Sequence, residues 1–315
     1  MRSALVARAA QELGWRLTLG ERFDARPDVI YVGKIGGNLV DSRGHLWLRY
    51  IKNLHASGCR VIIDYTDHYC GFDGVMTAFY KNVLPYADKL VTPSVAMSQL
   101  IRELWVGDVV EIPDPCEIDP QKPRLPGLPP WRALWFGSCT NIQYLIHFLE
   151  QSLNVTPLRQ LKVVTDSVGS RLLQEWVKLH RATISLPRID IFPWSLANLQ
   201  DAAAGSDIVV IPSDVNDPRK AGVSENRLVT AIQLGLVPVA SPMRSYLRFE
   251  KYFVRVSPIW PSVVVHRNLS HLNELKKFNS IIDEFSRPAI TRHWVTLLAQ
   301  LATNSSKEYL TQSGK

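Results

Sequence analysis

The sequence predicts an α/β protein made of two doubly wound, Rossmann-like domains. Three observations lead there: β-rich runs alternate with helical periodicity early in the chain, a proline-dense stretch interrupts both, and the same alternation then restarts. Regular alternation of strand and helix implies a parallel sheet, because parallel neighbours must be joined by a crossover of helix length.

Leu5, Ala9 and Leu13 lie at helical spacing and predict a first helix over residues 3–13. Strands are expected at 16–19 and 29–32, a helix over 45–56, and a strand in the β-rich run 59–64. A helix over 79–84, a strand at 89–92, a helix over 94–104 and a strand at 109–112 continue the series. The stretch "PDPCEIDPQKPRLPGLPPW", residues 113–131, is too rich in proline for the interior of a helix or sheet. The first domain is therefore expected over 1–115 and a linker over 116–131.

Beyond it come strands at 133–136, 161–164, 189–192, 207–211 and 237–240, with helices over 142–151, 170–180, 196–203 and after Ser224. They define a second domain over 132–285. Residues 286–305 read as one more helix, with Trp294, Leu297, Leu298 and Leu301 on one face. The segment 286–315 is expected to cross back to the first domain.

Composition narrows the partners. With 315 residues, 46% hydrophobic and 21% charged, the chain reads as a soluble globular protein with material for two cores. The net charge of +7 favours an anionic partner, but Lys and Arg form no run that would serve as a nucleic-acid arm. Phosphates of a small ligand, or peripheral contact with an anionic membrane, suit the charge; nucleic acid is not expected. Cys59, Cys70, Cys116 and Cys139 contain no C-x-x-C pair and no histidine at metal spacing, so reduced thiols and no metal are expected. The opening is amphipathic, and no apolar span of about 18 residues follows. A cytoplasmic protein is the expectation.

Ligands of open α/β sheets bind at the carboxyl ends of the strands, so polar residues just after strands are the candidates. In the second domain these are Gly137, Ser138 and Asn141 after its first strand, Asp166 after the second, Pro193 and Trp194 after the third, and 212–227 after the fourth. The last stretch, "DPRKAGVSENRLVTAIQLGLVPVAS" at 217–241, opens an apolar helix with an unusually polar entrance. A helix starting near Ser224 offers unpaired N–H groups and the positive end of its dipole, and Arg219, Lys220 and Arg227 add full charges. This is the expected phosphate site. The other reading is a plain Ser224 cap with solvated cations.

In the first domain, "IIDYTDHYCGFDG" at 62–74 places Asp64, Asp67 and His68 at a strand end, and a carboxylate beside an imidazole is the usual makeup of a general base. Gly33, Lys34, Gly36 and Gly37 after Val32 predict a flexible loop on the same rim.

The segment "DIVVIPSDVNDPRKAGVSENRLVTAIQLGLVPVASP" resembles the nucleotide-sugar-binding region of GT-B glycosyltransferases, family 4-like enzymes above all, and "ALWFGSCTNIQYL" is similar to the opening of their donor domain. The likeness covers most of residues 60–245. It implies a GT-B fold with two domains facing a cleft, no cofactor, a nucleotide-sugar donor and a glycan or lipid-linked acceptor. Arg219, Lys220, Ser224, Asn226 and Arg227 would then hold the donor diphosphate. Gly137, Ser138, Asn141, Asp166, Pro193, Trp194 and Glu225 would line the donor sugar and nucleotide. Asp67 and His68 would act on the acceptor, with Lys34, Gly36, Gly37 and Asp64 beside it.

Two departures stand out: the family's second glutamate falls here on Thr230, and the chain opens in a helix where the family opens in a strand and a glycine-rich loop. Either the start lies upstream or the first domain is shortened by a strand. The chemistry implied is metal-independent transfer of a sugar from a nucleoside diphosphate. The alternatives are a sugar-nucleotide epimerase and a non-catalytic nucleotide- or glycan-binding protein. A nicotinamide dehydrogenase is disfavoured, because no G-x-G-x-x-G follows the first strand of either domain.

Overall fold

The computed structural model describes residues 2–152, 158–182, 185–257, 260–265, 273–275, 277 and 282–312. The chain divides into two compact units, Met1–Pro115 with Asp217–Ser224 and Glu284–Lys315, and Cys116–Asn216 with Glu225–Asp283.

The first unit holds a four-stranded parallel sheet, β1 (Val29–Val32), β2 (Arg60–Asp64), β3 (Lys89–Thr92) and β4 (Val109–Glu111), in chain order. Val61, Ile62 and Ile63 in β2 are fully buried, as a central parallel strand covered on both faces requires. Alternation along the strands divides the core. Val61, Ile63 and Leu90 pack with Val40 and Ile51 of α2 (Gly37–Ala56), Phe79 of α3 (Val75–Val83) and Met97 of α4 (Val95–Arg102). Ile62 and Val91 face the other way, toward Leu5, Val6 and Ala9 of α1 (Arg2–Glu12) and toward the C-terminal helix Arg287–Gln312. Trp294, Leu297, Leu298 and Leu301 of that helix are all buried there.

The second unit is a six-stranded parallel sheet in the order β10-β9-β8-β5-β6-β7. Its strands are β5 (Trp131–Phe136), β6 (Leu158–Thr165), β7 (Arg188–Pro193), β8 (Ile208–Ile211), β9 (Val237–Ala240) and β10 (Val254–Arg255). The helices α5 (Ile142–Ser152), α6 (Ser167–His180), α7 (Leu196–Ala204) and α8 (Asn226–Gln233) alternate with them. Strand order reverses between β5 and β8, and ligands of open α/β sheets bind at the carboxyl ends of the strands at such a switch point. The second half of the proline-dense stretch belongs to this unit: the Gln121 and Arg124 N–H groups donate to the Gln233 and Gly235 carbonyls. Gly235 has φ +72°, and a Cβ there would stand 2.5 Å from the Lys122 carbonyl oxygen.

Some local expectations need correction. Residues 16–19 form no strand and pair with no strand among the described residues, and Leu19 is 83% exposed. The helix expected over 45–56 begins at Gly37, with Gly36 as its N-cap, so Gly37 is helical rather than part of the rim loop. Gly44 lies inside this helix at a close approach, since a Cβ there would meet Val40 at 3.2 Å and Phe79 at 3.3 Å. Trp131, expected to close the linker, opens β5 and is buried.

Candidate functional site

In the second unit the turn after β5 is built on Asp166. One carboxylate oxygen accepts from the Cys139 N–H at 2.7 Å and the other from the Gly169 N–H at 2.8 Å, so Asp166 caps α6 and fixes the turn 137–141 together. These N–H bonds, Gly169's foremost, hold its pKa below the ordinary aspartate value. Gly169 permits the approach: a Cβ would lie 2.4 Å from Thr165 Oγ1 and 3.2 Å from Cys139 Cα. The Gly137 N–H donates to the Val164 carbonyl, and the Ser138 hydroxyl pairs with that of Thr140 at 2.8 Å. Asn141 Nδ2 donates to Ser138 Oγ at 3.4 Å.

Arg227, in the first turn of α8, lies over the end of β5. Its guanidinium carbon stands 5.3 Å from the Trp135 ring centre and 5.7 Å from that of Phe136. A Cβ on Gly137 would be 3.5 Å from that carbon. Nε and Nη2 are sealed from solvent and have no hydrogen-bond partner among the described residues. Burial lowers the pKa of this guanidinium. A buried cation with two nitrogens unpartnered among the described residues is expensive, and an anion at the β5–β8 switch point would satisfy it.

Glu225, two residues earlier, is 1% exposed and is ion-paired with Arg248, whose guanidinium lies over Phe249. It occupies the N-cap position of α8 without a side-chain cap bond, so the helix begins at Asn226 and Ser224 is not its cap. Asn226 Oδ1 accepts from the Thr230 hydroxyl at 3.2 Å. At the end of β7, Pro193 is exposed and Trp194 is half exposed, its ring centre 6.4 Å from that of Phe136.

In the first unit Asp64 is fully buried at the end of β2. Its carboxylate accepts from Arg2, with contacts of 2.8 and 2.9 Å, and from the Tyr31 hydroxyl at 2.7 Å, so it is fully engaged. Asp67 stands on the following turn, where its Oδ2 meets Lys34 Nζ at 2.7 Å and the Tyr69 hydroxyl at 3.0 Å. His68 is buried, and its Nδ1 has no hydrogen-bond partner among the described residues. Burial lowers its pKa, so the ring is neutral at neutral pH. Asp67 and His68 are neighbours in sequence, but no hydrogen bond joins their side chains among the described residues.

Segment 217–224 packs within this same unit. Arg219 forks onto the Asp217 carboxylate, with contacts of 2.6 to 3.1 Å, and Lys220 ends the short helical turn Pro218–Lys220, which packs against Tyr69–Gly71. The Ser94 hydroxyl donates to the Gly222 carbonyl at 3.3 Å, and the Ser224 hydroxyl to Asp114 at 2.6 Å. The structure thus brings the turn Pro218–Lys220 against Tyr69–Gly71, which follows Asp67 and His68 in the chain. It sets Arg227 with Gly137 in the second unit. Arg2, Asp114, Arg248 and Trp135 escaped the sequence reading, because their roles rest on partners distant in the chain.

No family model matches this sequence, and no curated protein matches it. Solved structures do. A crystal structure of the GtfA/B complex matches over 95% of this chain and 59% of its own, at 13% identity and a TM-score of 0.53. A glycosyltransferase from Rickettsia africae ESF-5 matches over 96% and 81%, at 12% identity and a TM-score of 0.59. S. aureus TarM, in complex with fondaparinux, alpha-GlcNAc-glycerol and UDP, matches over 76% and 50%, at 13% identity and a TM-score of 0.53. The chain thus spans between half and about four-fifths of the length of these three proteins. The likeness is one of fold, and the fold is that of the GT-B glycosyltransferases. No helix among the described residues is long and apolar enough to cross a membrane.

Proposed function

We propose that this protein is a glycosyltransferase that moves a sugar from a nucleoside-diphosphate donor to a hydroxyl acceptor. Arg227 carries the reading. A buried guanidinium with unpartnered Nε and Nη2, stacked on Trp135 and Phe136 beside Gly137, is preorganised for an anion and costs stability without one. The fold shared with glycosyltransferases, one of them in complex with UDP, supports a nucleoside diphosphate as that anion.

In this scheme the bond between the sugar's anomeric carbon and the diphosphate oxygen breaks, and the diphosphate leaves with the electron pair. Arg227 and Lys220 stabilise the developing charge. The acceptor oxygen forms the new bond to the anomeric carbon, and its proton passes to Asp67 or His68. Asp67 Oδ1 is left over for the hydroxyl, because Lys34 and Tyr69 both use Oδ2. Glu225, Trp194 and the turn at Gly137 and Ser138 line the nucleotide and sugar, with Asp166 holding that turn. The diphosphate charge is met by protein cations. In this reading the reaction is metal-independent. The acceptor in this reading is a glycan, a lipid or another hydroxyl compound.

A non-catalytic nucleotide-binding protein is the second reading, favoured by Thr230 where a glutamate is expected from the family resemblance. A thermal-shift screen with UDP, GDP, ADP, CMP and their sugars tests both. A ligand at about 100 times its Kd stabilises by ~2.7 kcal/mol. A shift followed by sugar transfer supports the enzyme, and a shift without turnover on a broad acceptor panel supports the binder. No shift with any nucleotide overturns both.

A further inference from the structure

We propose that Arg2 and Asp114 are positioning residues for the turn that carries Lys220. The inference rests on the donor-binding reading above. Asp114 follows β4 and uses its two carboxylate oxygens for different ends: Oδ1 accepts from Arg2 at 3.1 Å, and Oδ2 accepts from the Ser224 hydroxyl at 2.6 Å. Arg2 in turn donates to both oxygens of the buried Asp64 and, at 2.8 Å, to the Ile112 carbonyl, and it lies 5.8 Å from the Trp294 ring centre. Its side chain is 10% exposed. One guanidinium thereby ties α1 to the ends of β2 and β4 and to the C-terminal helix, and Asp114 passes that fixed point on to segment 217–224.

The segment contains one short helical turn, Pro218–Lys220, packed against Tyr69–Gly71, and further along it the Ser94–Gly222 bond and the seat of Gly222 on Met97, where a Cβ would come within 2.6 Å, add to the Ser224 link. A charge-assisted bond to a carboxylate that is itself fixed by an arginine is the strongest of these links. Its loss would let Lys220 sample other positions, and a catalytic cation displaced by about 1 Å loses much of its effect.

Two alternatives have to be separated: Ser224 touching the ligand directly, and a general loss of fold. A double-mutant cycle does both. Inorganic pyrophosphate, the nucleoside diphosphate that the parental protein binds best and the matching nucleoside are titrated calorimetrically into the parental protein, Asp114→Ala, Ser224→Ala and the double variant, with melting temperatures recorded. Each single variant should weaken both diphosphate ligands about tenfold, the double variant no further, and nucleoside affinity should stay near parental. Additive losses, unchanged pyrophosphate affinity, or an equal loss of nucleoside affinity would overturn the positioning role. If Asp114→Ala fails to fold, Asp114→Asn and Arg2→Lys carry the test, with a smaller diphosphate-selective loss expected and the same outcomes against it. A parental protein that binds none of the three ligands would instead remove the donor-binding reading, and this inference with it.

Discussion

Replacing Arg227 by methionine should stabilise the ligand-free protein while weakening its grip on a nucleoside diphosphate. Met keeps an unbranched apolar stem over Trp135 and Phe136 but removes a cation whose Nε and Nη2 have no hydrogen-bond partner among the described residues. Replacing buried charge by an apolar side chain of similar volume gains about 1–4 kcal/mol where the charge is poorly compensated. Against this stand two cation–π contacts, worth ~0.5–2 kcal/mol for a desolvated cation. The balance favours the variant by roughly 1 kcal/mol, and the ligand-free melting temperature should rise.

Binding should move the other way. A charged donor facing phosphate contributes about 1.5–3 kcal/mol, so affinity should fall roughly 10- to 150-fold. Calorimetric unfolding without ligand and titration with the best nucleoside diphosphate, on the same preparations, read both quantities. Opposite signs are the signature of a residue kept for a ligand. A variant that melts lower than the parental protein and binds the nucleotide equally well would show Arg227 to be a core cation held by its rings, and the reasoning would be refuted.

Asp166→Ala removes both the α6 cap and the acceptor for the Cys139 N–H, and should cost about 1–2 kcal/mol by chemical denaturation. Because the folded-state pKa of Asp166 is depressed, its contribution is present above the unfolded aspartate value and fades as pH falls through the folded one; the parental protein, but not the variant, should show that acid-range loss. If His68 takes the acceptor proton, its pKa lowered by burial should extend the kcat/KM plateau below the ordinary histidine value near 6.5, and an acid limb at or above that value would exclude it. Gly235→Ala meets a left-handed backbone and the Lys122 carbonyl at once, so it should destabilise by more than ~1 kcal/mol; an unchanged denaturation midpoint would contradict that geometry.

The strands were legible where burial on both faces makes a short apolar run unmistakable. The run 59–64 lies within one residue of β2, and 89–92 and 237–240 coincide with β3 and β9. Residues 16–19 alternate as well as many true strands do, yet strand formation needs a neighbour, and no local pattern announces its absence. The first two turns of α2 were missed in the opposite sense: glycine inside a helical pattern weakens its signal, yet Gly44 permits close packing on Phe79, a contact set by α3 more than 30 residues away. The two-residue β10 carries too little pattern to be seen, and only its pairing with Val239 and Ala240 defines it.

The polar entrance to α8 shows why residue type and spacing cannot by themselves sort cations that bind from cations that are neutralised. Arg219 follows Asp217 by two residues, and Arg227 follows Glu225 by the same interval. In the first pair the carboxylate turns back on its own arginine and holds the guanidinium by a fork. In the second, Oε1 of the carboxylate pairs with Arg248, 23 residues further on, in the helical stretch that follows β9. Arg227 is then left on the faces of Trp135 and Phe136, with its inner nitrogens sealed from water. Identical local spacing gives one compensated cation and one that an incoming anion would complete, and the difference lies with a third residue. Arg248→Met should therefore release Glu225 toward Arg227 and weaken nucleotide binding without touching the ligand. Titration of that variant, alone and combined with Glu225→Gln, measures how far the competition for one carboxylate sets the strength of the site. Parental affinity in Arg248→Met would show that Arg248 does not control the charge at Arg227.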